Sequence, residues 1–492
     1  MTLIFFGAAS AGCAILDGTL FEDGEGAAGG NASTNTTSTG GAGGGGANDG
    51  GSHSGGGGAS AGGNGGTGGE GGSIAPPEWM VGATQLEEEV RFLDFDLGNQ
   101  QIVVAGAARR SADGTGKFAL GANCSGQALG EGWTTFVAFY DLDGACLHLE
   151  MSVFSTSDLP RVAISGAPTA DAAYLALTAN GVASIYRFEL GSLATEFPFG
   201  GAGAANDLAL ADDTILVAGW VDEGNDNACF PQPQAGSRRR SALLALDPVS
   251  FACEELTQDV SADGQDDELT RIATDGDSIV VSGYVGGGAG GSNASPCSDC
   301  VFTGTPKQLS ANAVAGAPIA DCSFPPVAVE GPARWALVAA CTGAAPAQLH
   351  NLAGEGVVTF DSLLISAIKT YAITLTSNGV YGGGVADWPA PGGTAGVIVR
   401  TSIESHLPEA FRVQEGEGRK VDVRGLANLD DGVLVIGNYS GNATCEALCP
   451  ANKLAIVETD GAALLSNDSM VGCKGEYCGP YIALWQPPTL DP

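Results

Sequence analysis

From Trp79 onward, short apolar runs alternate with turn residues, and one unit recurs seven times. The unit is a half-buried strand, a tight turn, and a second strand that usually ends in Gly before an aromatic or small residue. The second strands read Ile102-Val-Val-Ala-Gly106, Tyr174-Leu-Ala-Leu-Thr178, Ile215-Leu-Val-Ala-Gly219-Trp220 and Ile279-Val-Val-Ser-Gly283-Tyr284. Trp335-Ala-Leu-Val-Ala339, Gly379-Val-Tyr-Gly-Gly383 and Val433-Leu-Val-Ile-Gly437 complete the series. Before several of them stand Asp275-Gly276, Asn378-Gly379 or Asp431-Gly432, dipeptides that tolerate the positive φ of a two-residue hairpin. A third strand follows in most copies, as at Phe136–Tyr140, Ala242–Leu246, Val397–Val399 and Leu454–Val457. Asp143-Gly144 and Asp460-Gly461 then supply a turn into a fourth. No run of ten or more residues keeps a helical period, which argues against βαβ folds.

Four antiparallel strands per unit give an all-β fold, a β-propeller of seven four-stranded blades, with six or eight blades left open. A pair of β-sandwiches is the competing architecture. Each unit runs to about 59 residues, longer than ordinary blades, and the excess falls in loops such as 107–133 and 222–240. The Asp-Gly turn before a strand ending in Gly-aromatic resembles the secreted bacterial β-propeller repeat proteins. That resemblance covers most of 79–492 and implies a fold rather than an activity.

Ahead of the repeats the texture is different. Residues 24–77 hold 24 Gly, with Ala, Ser, Thr and Asn filling most of the rest. Such a segment lacks the apolar surface to offset its own ordering entropy, so a disordered linker is expected, with a span of roughly 40 Å. The G-x-S-x-G match at Gly58-Ala59-Ser60-Ala61-Gly62 lies inside it, without the strand and helix that a nucleophile elbow requires. The chain opens with a short apolar run, then Ser10-Ala11-Gly12-Cys13, which resembles the end of a bacterial lipoprotein signal peptide. The resemblance implies cleavage before Cys13 and lipid attachment to it; Ala14 in place of Asp implies sorting to an outer membrane. The organisation expected is a truncated signal peptide (1–12), a lipid-anchored N-terminus (13–23), the linker (24–77) and the propeller (78–492). No charge precedes Cys13, whereas a secretory signal opens with a positive region.

Twenty Lys+Arg against 56 Asp+Glu leave a net charge of −36, which argues against nucleic acid as a partner and disfavours docking on anionic lipid through a polybasic patch. Without Cys13, twelve cysteines remain, an even number that suits an oxidised framework in an exported chain. Cys124 with Cys146, Cys229 with Cys253, and Cys300 with Cys322 recur at comparable spacing and are expected to pair within their own blades. The competing chemistry is zinc at Cys297-Ser-Asp-Cys300, for which no second C-x-x-C exists.

Other chemistry is sparse. His53, His148, His350 and His406 show no metal-ligand spacing and read as linker, surface or strand residues. The candidate calcium ligands are acidic-loop residues: Asp222 and Asp226 in one loop, Asp263, Asp266 and Asp267 in another. Asp141-Leu-Asp143-Gly144 is half of a calcium loop and reads as a turn. Ser111-Ala-Asp113 matches a sialidase box only in part, and Arg238-Arg239-Arg240 reads as a solvated loop. The function expected is a monomeric cell-envelope lipoprotein, exported and anchored to the outer membrane. Its propeller head then binds or scaffolds an envelope or extracellular protein, a glycan or a cation. No cofactor other than calcium is expected. An exported polysaccharide hydrolase or lyase is the alternative, favoured by two acidic side chains facing each other across the channel.

Overall fold

The computed structural model describes residues 74–75, 79–82, 85–86, 89–110, 115–121, 123–167, 172–179, 181–189, 192–198, 203–211, 214–222, 239–258, 268–285, 297–305, 308–313, 327–330, 333–338, 348–352, 357–359, 366–377, 379–387, 394–402, 408–414, 419–429, 432–441, 455–458 and 477–487. These residues belong to one compact unit. They are all-β, with no helix among them. Cys13 and most of the expected linker lie outside them. Strand pairing nevertheless begins inside that linker, where Ile74 and Ala75 pair with Val457 and Ile456.

The first sheet runs Glu89–Gly98, Gln101–Arg109, Trp133–Asp141 and Cys146–Thr156. Four sheets of four sequential antiparallel strands follow, over 161–198, 203–258, 268–313 and 327–359. The sixth holds four sequential strands over 366–414, to which Ala455–Glu458 and then Ile74–Ala75 add on the outside. The seventh runs Arg419–Leu429, Gly432–Gly441 and Tyr477–Trp485, and its outermost strand is Trp79–Gly82 from the other end of the chain. The first strand of each sheet contacts the first strand of the next, and Arg419–Leu429 returns to contact Glu89–Gly98. This radial layout is that of a β-propeller.

The apolar repeats follow from that layout. A second strand lies inside its sheet with another sheet on either face, so every position is buried and the run is apolar throughout. Ile102 and Val104 pack with Phe136, Leu434 and Ile436 toward the seventh sheet, while Val103 and Ala105 pack with Ile164, Leu175 and Phe188 of the second. The expected turns form at Asp143-Gly144 and Asp275-Gly276, with φ of 83° and 98° at the glycines.

Two sequence expectations are corrected. The run Leu454–Val457 is expected as a third strand of the last copy; its described residues, 455–457, fall instead in Ala455–Glu458 on the sixth sheet, beside Pro408–Gln414. The interior position it was given needs burial on both faces, and Tyr481, Ile482, Ala483 and Trp485, all at most 1% exposed, supply it. The loop 107–133 also carries structure: Lys117–Gly121 and Cys124–Gln127 form a hairpin that buries Phe118.

Polar side chains close the seams between sheets. Asn438 donates from Nδ2 to the Phe92 carbonyl (2.9 Å) and accepts the Phe92 N–H on Oδ1 (2.8 Å), joining the seventh sheet to the first. Asp422 holds Asn438 in place by accepting its backbone N–H at 2.7 Å. Between the second and third sheets the Thr178 hydroxyl donates to the Ala205 carbonyl (3.3 Å) and accepts its N–H (3.1 Å).

Candidate functional site

Where a glycine ends a second strand, it has a structural counterpart on the first strand. Phe92 pairs with Gly106, but Asp94 pairs with Ala105, so one extra residue is accommodated between them. The same slip separates Ala205 from Asp207 opposite Gly219, Leu269 from Arg271 opposite Gly283, and Val423 from Gly425 opposite Gly437. A Cβ at Gly219, Gly283 or Gly437 would strike the carbonyl oxygen of Ala204, Glu268 or Asp422. Glycine is therefore what lets the inner strand buckle, and the bulge re-aims the residues beyond it.

Those residues line two adjoining cavities. The larger, about 420 Å³, is bounded by Asp94, Asp96, Ser165, Asp207, Thr274 and apolar neighbours. The smaller, about 130 Å³, is bounded by Asp94, Asp207, Arg271, Tyr371 and Arg424 among others. Asp94, Phe95, Asp207 and Ile373 border both. Taken together the linings come from all seven first strands, which makes the cavities the central channel and places Asp94 and Asp207 at the junction between its two parts.

Asp94 and Asp207 are each fixed by a backbone N–H of the next sheet, and Asp207 also accepts the Leu208 N–H on Oδ1 at 3.0 Å. Asp94 Oδ2 accepts the Ile164 N–H at 2.8 Å, and Asp207 Oδ2 accepts the Ile272 N–H at 2.8 Å. Asp96 Oδ2 accepts from the Ser165 hydroxyl (3.0 Å) and the Gly166 N–H (3.1 Å), while its Oδ1 accepts the Leu97 N–H (2.8 Å). The residual exposure of Asp94 and Asp207 is to the cavities they line. Burial pushes the Asp94 carboxyl well above its ordinary range, the charge of Asp207 pushes it further, and Arg271 pulls it back. Asp207 is raised in the same way by burial, against Arg271. Asp96 is raised by burial to about 6, against its backbone hydrogen bonds. On the opposite side, Arg424 donates to Asp422 at 2.7 Å and stacks over the Tyr371 ring at 4.3 Å. An acidic pair with guanidinium groups beside it can bind a polar ligand through donors and acceptors at once, or hold and release a proton.

The sequence candidates lie elsewhere. Asp222 ends the strand Thr214–Asp222, and Asp226, Asp263, Asp266 and Asp267 fall outside the described residues. Among the described residues no group of three or more metal-ligating side chains converges. Cys124 and Cys146 form the expected disulfide, with Cα atoms 6.0 Å apart. Cys253 is disulfide-bonded, whereas Cys229 and Cys322 lie outside the described residues. Cys297 and Cys300 sit on one strand, Cys297–Thr305. His148 bonds Glu150 at 3.2 Å, and the buried His350 bonds Gln348 at 3.1 Å. The turn reading of Asp141 is met by its side chain accepting the Ala145 N–H at 2.7 Å. Ser111 and Asp113 lie outside the described residues.

The basic cluster is corrected: Arg239 and Arg240 open the strand Arg239–Leu246, and Arg240 is 5% exposed. Arg239 stacks over Trp220 at 4.3 Å and reaches the buried Glu268 at 3.8 Å, with Arg161 on the same carboxylate at 3.6 Å. A carboxylate supplied by a different sheet draws Arg239 inward, which local sequence does not reveal.

No family model matches the chain. No curated protein matches it either. Among solved structures, it is similar to an acylaminoacyl peptidase of Pyrococcus horikoshii, at 10% identity and TM-score 0.42, over 77% of this chain and 52% of that one. The chain thus spans about half the length of that peptidase. It is similar to the β-propeller domain of the Trilobed protease from Pyrococcus furiosus, at 10% identity and TM-score 0.41, over 78% of this chain and 97% of that one. A putative 6-phosphogluconolactonase from Bacteroides uniformis is 10% identical, with TM-score 0.40, over 81% of this chain and all (100%) of that one.

Proposed function

We propose that the chain is an envelope lipoprotein, anchored through Cys13. In this reading the seven sheets of four or more strands are the blades of one propeller, and that propeller is a non-enzymatic binding module. The ligand site is the central channel, and the observation that carries this is the junction at Asp94 and Asp207. Two carboxylates from different sheets border both cavities there, with acceptor capacity left beyond their backbone hydrogen bonds. A channel of about 420 Å³ suits a small polar ligand with several donors, such as a sugar unit or an organic cation. A lipid anchor would keep that site at the cell surface, where glycans and exported proteins are the available partners. The test is a thermal-shift panel of monosaccharides, oligosaccharides and amines on the whole chain. A true ligand at 100 times its Kd stabilises by about 2.7 kcal/mol, and Asp94→Asn with Asp207→Asn removes that shift. A ligand that stabilises the double variant equally refutes the channel site. The N-terminal peptide mass from the native host tests the anchor, since an unmodified Cys13 refutes it.

A second reading, an exported hydrolase or lyase on polysaccharide, is favoured by one observation. Asp94 lies beside a second carboxylate and is raised toward the range in which a general acid works. Turnover on a polysaccharide panel that is lost in Asp94→Asn decides for it.

A further inference from the structure

Arg271 stands out in the channel. It borders the smaller cavity, its Nε is buried without a hydrogen-bond partner, and it attracts Asp94 and Asp207 electrostatically without closing an ion pair on either. The neighbouring Arg424, by contrast, is held by Asp422 and Tyr371. A guanidinium held in a cavity with its fork unused presents the planar donor pair that a carboxylate fills bidentately. Beside it, Asp94 Oδ2 accepts one backbone N–H from the next sheet, and Asp207 accepts one backbone N–H on each of its oxygens. An ionised carboxylate offers about four lone-pair sites, so both retain capacity for donors from the channel.

Resting on the channel reading above, we infer that Arg271 is the anion-binding half of the site. The ligand is then a small monocarboxylate that also carries hydroxyl or ammonium donors, as sugar acids and amino acids do. Its carboxylate sits on Arg271 in the 130 Å³ cavity, and its donors face Asp94 and Asp207, with the remainder of the molecule in the 420 Å³ cavity. A phosphate ester fits worse, because its second negative charge would stand against two carboxylates with a single free guanidinium to balance it. A simple cation fits worse too, because it adds positive charge beside the half-buried Arg271 and leaves its Nε without a partner.

The experiment is isothermal titration calorimetry on the whole chain with D-glucuronate and L-alanine as probes. D-glucose and ethanolamine serve as analogues lacking the carboxylate. The expected result is binding of at least one carboxylate probe, weakened tenfold or more by Arg271→Gln, with melting temperature recorded for each variant. Arg271→Lys keeps the charge without the fork and is expected to weaken binding several-fold; it decides the matter if Arg271→Gln does not fold. Carboxylate binding unchanged in both variants overturns the inference. Binding of glucose or ethanolamine, lost in Asp94→Asn while both acids are ignored, overturns it and leaves the channel reading standing. No heat with either acid overturns it as well.

Discussion

Asn438 is the side chain whose loss should be felt most for its size. It joins the last sheet to the first, and Asn438→Ala strips both partners from the Phe92 peptide at once. Asn438 is 6% exposed and Phe92 1%, so the released N–H and C=O have little access to water. Orphaning a buried backbone group costs about 1–3 kcal/mol, which sums to about 2–6 kcal/mol for the pair. For a unit of about 400 residues the unfolding entropy is about 0.85 kcal/mol/K, so the melting temperature should fall by about 2–7 °C. Calorimetry on the whole chain reads this directly, and the match of calorimetric to van't Hoff enthalpy checks that one transition is being measured. Thr178→Ala, at the seam between the second and third sheets, removes longer bonds and should cost less. The two sites share no partner, so the double variant should equal the sum within about 0.5 kcal/mol. A shift below about 1 °C for Asn438→Ala refutes the reasoning, because it would mean that water enters the seam and satisfies Phe92.

Three further outcomes are expected. Asp96 has its folded pKa raised from 3.8 to about 6, so its contribution is fully present below 3.8 and is lost as pH rises through 6. Asp96→Asn should therefore gain on the parent between pH 4 and 7 in melting temperature, and a constant difference across that range contradicts the assignment. Replacing Cys124 and Cys146 by Ser frees a closure of 22 residues, worth about 3 kcal/mol in the entropic model, and should expose the hairpin Lys117–Gln127 to limited proteolysis. Cleavage elsewhere at an unchanged melting temperature argues against that role. Gly283→Ala drives a Cβ into the Glu268 carbonyl and should cost about 1–3 kcal/mol, while flattening the bulge that positions Arg271. A neutral effect in denaturant titration would show that the inner strand has room to move.

The legible part of this sequence was the interior of each sheet. Ile102–Gly106 and Val433–Gly437 are recognisable because a strand covered on both faces must be apolar at every position. The first strands carry no such signature. Asp94, Asp207 and Arg271 are single polar residues in half-buried strands, and their convergence depends on which strands reach the axis. The signal that would have found them is the terminal glycine of the second strand. Its cross-strand partner plus two residues is Asp94 for Gly106, Asp207 for Gly219 and Arg271 for Gly283. The strand Tyr477–Trp485 was missed for a different reason: its outer partner, Trp79–Gly82, lies at the far end of the sequence, so no local repeat marks the pair.

The bulge opposite each terminal glycine separates how a side chain is presented from what it is. The position just beyond it holds Asp94, Asp207, Arg271 or Gly425, so an acid, a base and no side chain at all occupy equivalent mountings on the same backbone device. Exchange at these mountings leaves the glycine, the turn and the apolar second strand untouched. The lining of the axis can therefore drift or be redesigned one socket at a time, with the scaffold constant and the charge pattern as the variable.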